Sequence, residues 1–451
     1  MAIPEGSRSA SLGAGLRGRA ISQQVGPDNT IRVGIPSPGP GPSFRGALKS
    51  HDFALLWAGQ FGSEVGNGLV QLALPALVYS LTDSAFQLAL AYVVQFAPWL
   101  LFGLVGGVLV DRWDRRLTLI VVELVRAGAF FAVGTAYALD RSFLSVEVFY
   151  GLIFLESSLQ NFFNPARLAL TPNLVAEQDL RAANSLMEVS RHVGFLVAPP
   201  AGIALASFLG SETIILADGV TFLISGITVM LIGWRQPPRP LQQAAGWSER
   251  MRQVVRETMA GIGVIKRTRL LQVTLLLGFS LNLVVAPIQG LLLIFVRVVK
   301  DAPDTYFGLL AAGFVSGLIV GSLIAPALSR RTGLGHMAIG SVLVLGATIC
   351  IAAYMPTLAL PVCAVGIAGV AIGTLNVAQI NMLQTSTTDD ERGRVSAAYY
   401  TVTLGVRSIG YLTAGALASP AGVQPLFLAF GLIVLALGAA LTRVPDIREH
   451  R

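Results

Sequence analysis

Apolar runs bounded by charges, prolines or glycines recur along this chain at roughly 53–80, 85–110, 117–139, 145–166, 185–208, 212–234, 270–297, 305–328, 336–355, 358–384, 395–418 and 422–442. A helix needs about 20 apolar residues to cross the hydrocarbon of a bilayer. A strand of a membrane barrel needs about ten, in strict alternation. The pattern therefore predicts an all-α integral membrane protein with twelve transmembrane helices. Basic residues test that map, because Lys and Arg collect in cytoplasmic links. Of the 32 Lys and Arg, Arg141, Arg297 and Lys300 fall on one side, and Arg126, Arg191 and Arg407 fall inside helices. All others lie in the two tails or in the links after the second, fourth, sixth, eighth and tenth helices. A missed helix would scramble this alternation. Both chain ends are expected in the cytoplasm, and the protein in the inner (plasma) membrane.

Composition narrows the function classes. Hydrophobic residues make up 53% of the chain and charged residues 13%, against about 25% charged in soluble proteins. The net charge of +7 is a topology signal, so nucleic acid is not an expected partner; the bilayer is. Cys350 and Cys363 lie in apolar segments without metal-ligand spacing. Four histidines, His51, His192, His336 and His450, make no catalytic constellation with Asp and Ser, so neither an enzyme nor a cofactor is expected. No glycine is followed by lysine, which removes a phosphate-cradling Walker loop. Any drive must come from an ion or substrate gradient, and the expected state is a monomer.

The chain also repeats. From residue 53 to the Asp111 turn is nearly the distance from residue 270 to Arg330-Arg331. Asp179-Leu180-Arg181 and Asp390-Glu391-Arg392 occupy matching later places. This divides the chain into a disordered cytoplasmic tail (1–48), a six-helix bundle (53–234), a linker (235–269), a second six-helix bundle (270–442) and a short cytoplasmic tail (443–451). Two pseudo-symmetric bundles around a midplane cavity are the plan of a transporter. In the linker, Met251, Val254, Val255, Met259, Ile262 and Ile265 follow helical spacing. They fit an interfacial helix on the membrane or a solvated linker helix.

Protons need only a carboxylate held in the membrane interior. The acids inside the predicted spans are Glu64, Glu123, Glu147, Glu156, Glu188, Glu212 and Asp218, all in the first bundle. Glu147 and Glu212 lie near extracellular ends and are read as solvated. Glu123 stands three residues before Arg126, a spacing at which a helix pair neutralises itself. Glu188 and Arg191, near the cytoplasmic start of the fifth helix, are read as gate wiring. Glu64, Glu156 and Asp218 remain as proton-coupling candidates. Glu64 leads, because Gln60, Ser63, Asn67 and Gln71 join it in one polar stripe on an apolar helix. The substrate-cavity candidates are Gln60, Asn67, Phe96, Trp99, Asn282, Gln289, Asn376, Gln379, Tyr400 and Arg407. Such amides and aromatics suit a large amphipathic small molecule. Arg407 either meets an anionic group on that substrate or pairs across the cavity with Glu64 or Asp218.

The run Gly107-Val108-Leu109-Val110-Asp111-Arg112-Trp113-Asp114-Arg115-Arg116 resembles the second-to-third loop signature of the major facilitator superfamily, with Asp114 where that family usually has glycine. The resemblance implies a cytoplasmic gating role for Asp111, Arg112 and Arg115. Gly194, Ala198, Pro199 and Gly202 are similar to the family's antiporter signature on helix five, with Ala198 for its middle glycine. Phe163-Asn164-Pro165-Ala166-Arg167, Ala183-Asn184-Ser185-Leu186 and Arg392-Gly393-Arg394-Val395 resemble the drug-export branch of macrolide efflux pumps and the enterobactin exporter. That branch often has an acid where this chain has Asn67. The resemblance implies a major facilitator fold and proton-coupled efflux of drug-like compounds or secondary metabolites. A proton symporter or facilitator for uptake on the same fold is the alternative.

Overall fold

A computed structural model of the chain describes residues 23–25, 31–33, 44–110, 113–141, 144–237 and 247–445. Two strands, β1 (Gln23–Val25) and β2 (Ile31–Val33), pair antiparallel, and α1 (Phe44–Lys49) follows. The first six long rods are α2 (His51–Thr82), α3 (Ala85–Val110), α4 (Arg115–Leu139), α5 (Val146–Leu170), a broken fifth rod and α8 (Ser211–Leu231). The fifth rod is α6 (Leu180–His192), a π-helical turn over Val193–Val197 and α7 (Ala198–Leu209). After α9 (Trp247–Arg267), the second half begins with another broken rod. It consists of α10 (Arg269–Val284), α11 (Ala286–Ile294) and a π turn over Phe295–Val299. Then come α12 (Asp304–Thr332), α13 (Leu334–Tyr354), α14 (Ala359–Thr385), α15 (Asp389–Ala421) and α16 (Val423–Leu441).

Among the described residues, eight helices are long and apolar enough to cross a bilayer, and the bent fifth rod makes nine. The rods outside that set, α3, α5 and α15, have 26, 25 and 33 residues. At 1.5 Å per residue each is longer than the hydrocarbon thickness of about 30 Å, so each is long enough to cross it. In α5 and α15, charged residues such as Glu156, Arg167 and Arg407 lower the apolar average.

Local chemistry sets the rod ends. Ser50 caps α2 by accepting from the Phe53 N–H at 3.3 Å. Asp114 caps α4, its Oδ1 accepting from the Leu117 N–H at 2.7 Å. This gives the aspartate that departs from the family pattern a structural use, since an N-cap carboxylate satisfies a free helix donor. Asp52 accepts from the Gly233 and Trp234 N–H groups at 2.9 and 2.8 Å, tying the start of the first rod to the end of the sixth. Gly210 (φ 88°) and Gly422 (φ 79°) make the same tight turn between the fifth and sixth rods of each half. Only glycine takes that backbone without strain. Gly317 and Gly321 on α12 lie directly against the α14 backbone, a small-residue surface on which two helices pack closely.

The two halves meet at the end of the bundle away from the chain termini. There Arg297 donates to the Ser80 hydroxyl at 3.1 Å and covers the Tyr79 ring at 5.7 Å. On one flank α7 lies on α12, and on the other α3 lies on α15. The Tyr92 and Tyr411 rings stack across that seam at 4.8 Å. Helix α9 lies at the other end. Its Gly261 abuts the Arg394 backbone, and Ile265 is buried with Leu271, Leu383, Val395 and Ala398. Val255 and Met259 stay exposed. The linker helix is therefore docked on α15 by its last turns, while its middle keeps an apolar face uncovered.

Candidate functional site

A layer of buried polar side chains divides the first half. Leu56, Leu119, Val122, Phe163 and Val229 belong to one apolar cluster. Val70, Phe130, Phe149, Ile215 and Phe222 belong to another. Between them sits Glu123 on α4, fully buried. Its Oε1 accepts from Ser225 at 2.8 Å, Gln60 Nε2 at 3.2 Å and Ser63 at 3.4 Å. Gln60 Nε2 also donates to Ser225 at 2.9 Å. Arg126, one turn on, is held between the rings of Phe163 and Phe222 at 5.4 and 5.1 Å. Its guanidinium reaches the Glu156 carboxylate on α5 at 3.6 Å. Asp218 on α8 is fully buried beside Gly66, with Thr221 donating to it at 2.9 Å. One oxygen of Glu123 and one of Asp218 have no hydrogen-bond partner.

Two expectations change here. Glu123 and Arg126 do not form an ion pair with each other, because a fixed helical spacing permits a pair but the facing rods offer better partners. Gln60 faces α4 and α8 and lines neither cavity described below. Along α2, Gln60 and Ser63 meet Glu123, whereas Glu64, Asn67 and Gln71 meet open space. The stripe is continuous, but what it faces changes with depth as the rods cross.

A cavity of 290 Å³ borders this layer on the first-half side, with Leu404 of α15 also in its wall. Glu64 and Asn67 from α2, Phe96 and Trp99 from α3, and Glu156 from α5 line it. Gly194 in the π turn closes it. Gly194 and Gly202 lie directly on the α2 backbone at Glu64 and Leu69. The signature glycines of the fifth rod thus set its contact with the rod that carries Glu64, and the rod bends by 56° there.

A larger cavity of 570 Å³ lies between the halves. Asn282, Gln289, Asn376, Gln379 and Arg407 line it from the second half, and Arg191, His192 and Pro199 from the first. Most of its wall is apolar, including Phe195, Phe295, Phe307, Phe314 and Phe427. Gln71, Arg191 and Phe195 border both cavities. Among the described residues, no Asp or Glu lines the larger one. Arg407 meets neither Glu64 nor Asp218. Its Nε donates to Asn282 Oδ1 at 2.5 Å, and its guanidinium lies 5.5 Å from the Phe96 ring centre. Tyr400 is exposed beside Tyr399 and lines neither cavity. It stands about two turns before Arg407 on the same face of α15, at a different depth.

Of the gate residues, Asp111 and Arg112 lie outside the described residues. Arg115 donates to the Ala169 carbonyl at 2.8 Å, within its own half. Glu188 and Arg191 form the pair their spacing suggests, at 2.6 Å and half-exposed. Arg141 and Glu212 pair at 2.6 Å at the opposite end.

Sequence reasoning undervalued Glu123 and missed the aromatic seam. Gln60, Ser63 and Ser225 all donate to or surround one acid, but they come from two rods that only the fold brings together. Phe96 and Tyr92 stack on Tyr411 at 5.7 and 4.8 Å, and nothing in their own rods pairs them.

Comparison with known proteins bears on the whole arrangement. The profile of the Major Facilitator Superfamily matches residues 56–402 and 288–451. The chain is 24% identical over 403 residues to macrolide efflux protein A of Streptococcus pyogenes, covering 88% of this chain and 96% of that one. It is 25% identical over 414 residues to the multidrug efflux pump Tap of Mycolicibacterium fortuitum, covering 90% and 97%. Among solved structures, the fold is similar to a bacterial homologue of the human lysosomal transporter Spinster, with a TM-score of 0.67 and 14% identity over 87% of this chain and 96% of that one. It is also similar to a bacterial homologue of the iron transporter ferroportin, with a TM-score of 0.64 and 17% identity over 87% and 98%.

Proposed function

This chain belongs to the major facilitator superfamily of membrane transporters, and on that premise we propose that it exports amphipathic, drug-like molecules in exchange for protons by alternating access. The observation that carries this reading is the pairing of two adjoining cavities with opposite linings. The 570 Å³ cavity between the halves is apolar with a few amides, which suits one bulky small molecule. The cavity beside it carries Glu64 and Glu156, with buried Asp218 and Glu123 behind. Carboxylates in a membrane interior are costly as anions, so they take up a proton unless a partner holds the charge.

In this reading Glu64, Glu156 and Asp218 bind and release the proton, and the Arg126–Glu156 pair relays the change. The signature rod, with Gly194, Pro199 and Gly202, borders both cavities and touches the rod of Glu64. It is the element through which protonation on one side alters cargo access on the other. The turn at Asp111, Arg112 and Arg115, with Glu188 and Arg191, gates the cytoplasmic end. Both termini face the cytoplasm, and the chain works in the plasma membrane as twelve spans. The similarity to macrolide and multidrug efflux proteins supports the direction and the cargo class.

The test is transport into inverted membrane vesicles of a panel of amphipathic compounds that includes a macrolide. Accumulation that an uncoupler abolishes is expected. Uptake of the same compounds by intact cells, with none by inverted vesicles, overturns the export reading in favour of a symporter or facilitator.

A further inference from the structure

Arg407 is a partly buried cation with no acid of its own among the described residues. Between Asp304 and Asp389 the second half contains no Asp or Glu, and none lies inside α10, α11, α15 beyond its first turn, or α16. Its guanidinium is held on two sides. Asn282 Nδ2 donates to the Gly278 carbonyl at 2.8 Å, which turns the amide so that Oδ1 accepts from Arg407 Nε at 2.5 Å. Phe96 covers one face, and Tyr411 and Tyr92 stack behind Phe96. Among the described residues, no protein acceptor meets the edge bearing Nη1 and Nη2, and the residue lines the 570 Å³ cavity. Gln379, also on that wall, is 8% exposed, and its Nε2 donor is without a partner. The other charged side chains on the wall are Arg191, already paired with Glu188, and the titratable His192. The wall therefore offers fixed donors and positive charge, and no acid.

An unpaired guanidinium in a low-dielectric interior is a strained charge that an anion relieves. A planar, pre-set guanidinium edge fits a carboxylate through two parallel hydrogen bonds. Resting on the transporter reading above, we propose that the cavity between the halves selects amphipathic molecules that carry a carboxylate, and that Arg407 anchors that group, with Gln379 as a second donor. The apolar wall takes the body of the molecule. The smaller cavity, lined by Glu64 and Glu156, repels the same anion and keeps it on the second-half side.

The experiment uses purified full-length protein and two probes that differ in charge and one methyl group, dansyl-aminooctanoate and its methyl ester. Binding is read by dansyl fluorescence without any pH gradient. The acid is expected to bind roughly tenfold or more tightly than the ester, as one charge-assisted contact to a desolvated guanidinium implies. Arg407→Gln should bring the acid down to the ester's affinity and leave the ester unchanged. Arg407→Lys, which keeps the charge and the fold but loses the planar edge, should weaken the acid several-fold and spare the ester. Equal binding of acid and ester by the wild type overturns the proposal. So does a persisting acid preference in Arg407→Gln or, if that variant does not fold, an undiminished preference in Arg407→Lys. Failure to bind either probe also overturns it. An acid preference in a protein that shows no proton-driven export would instead overturn the efflux reading and leave the anion site standing.

Discussion

In the first half, Glu123, Arg126 and Asp218 are buried between two separate apolar clusters. Among the described residues of the second half, apart from Gln379 at the cavity, the buried polar side chains of the long rods are hydroxyls such as Thr274, Ser341, Thr348 and Thr403. Each of these donates to a carbonyl one turn back on its own helix. One continuous core runs through that half and takes in Leu72, Tyr79, Tyr92 and Ile203 from the other. The two halves share a topology, the turn at Gly210 and Gly422, and the close approach of fifth rod to first. They differ in where charge is kept. A hydroxyl bonded to its own helix is satisfied whatever its neighbours do. A carboxylate bonded across rods is satisfied only in one arrangement of those rods. In the proposed reading, the first half responds to a proton and the second holds its shape around cargo.

The difference is broken most severely at Arg126. Arg126→Leu leaves the Glu156 carboxylate without its counter-charge and should lower stability by about 3–5 kcal/mol, as the loss of one partner of a buried pair does. The matching change in the other half, Thr403→Val, removes a self-satisfied hydroxyl and should cost under about 1 kcal/mol. Thermal unfolding of both variants in detergent checks the contrast, and equal losses would erase it.

A second pair of changes probes what the halves have in common. Gly202 lies on the Leu69 carbonyl in the first half, and Gly410 on the Leu283 carbonyl in the second. Alanine at either place forces two backbones apart and should cost about 1–3 kcal/mol. Gly62, which faces open space, should accept alanine without loss. A large cost at Gly202 with none at Gly410 would mean that the close approach is special to the signature rod. The smallest effect is expected at Asp114. Asp114→Ala removes the α4 cap and should cost about 1 kcal/mol, while Asp114→Gly, the residue usual in the family, should cost only a few tenths.

The rods were legible because hydropathy and basic residues alternate with the membrane. Their starts were less so. The runs place the fifth and eleventh rods at 185 and 395, but α6 begins at Leu180 and α15 at Asp389. Those extra turns are polar, and a hydrophobic run cannot register them. The breaks in the fifth and seventh rods were visible only as glycine and proline at Gly194, Pro199 and Pro287. Within the site, the amides and Arg407 around the large cavity could be read from their rods, since each lies on the inner side of its own helix. Gln60, Tyr400 and the partner of Glu123 could not, because helical period gives a direction around one rod and says nothing about which rod stands opposite at that depth.

The central claim is that acids of the first half take the proton while the second half holds the cargo. The most direct test reconstitutes the wild type and the triple variant Glu64→Gln, Glu156→Gln, Asp218→Asn in liposomes with an imposed pH gradient. For a compound that the wild type moves, the account predicts gradient-driven accumulation by the wild type alone. Exchange of labelled for unlabelled compound without a gradient should persist in both. Accumulation by the triple variant equal to the wild type's, or wild-type transport indifferent to the gradient, would contradict it.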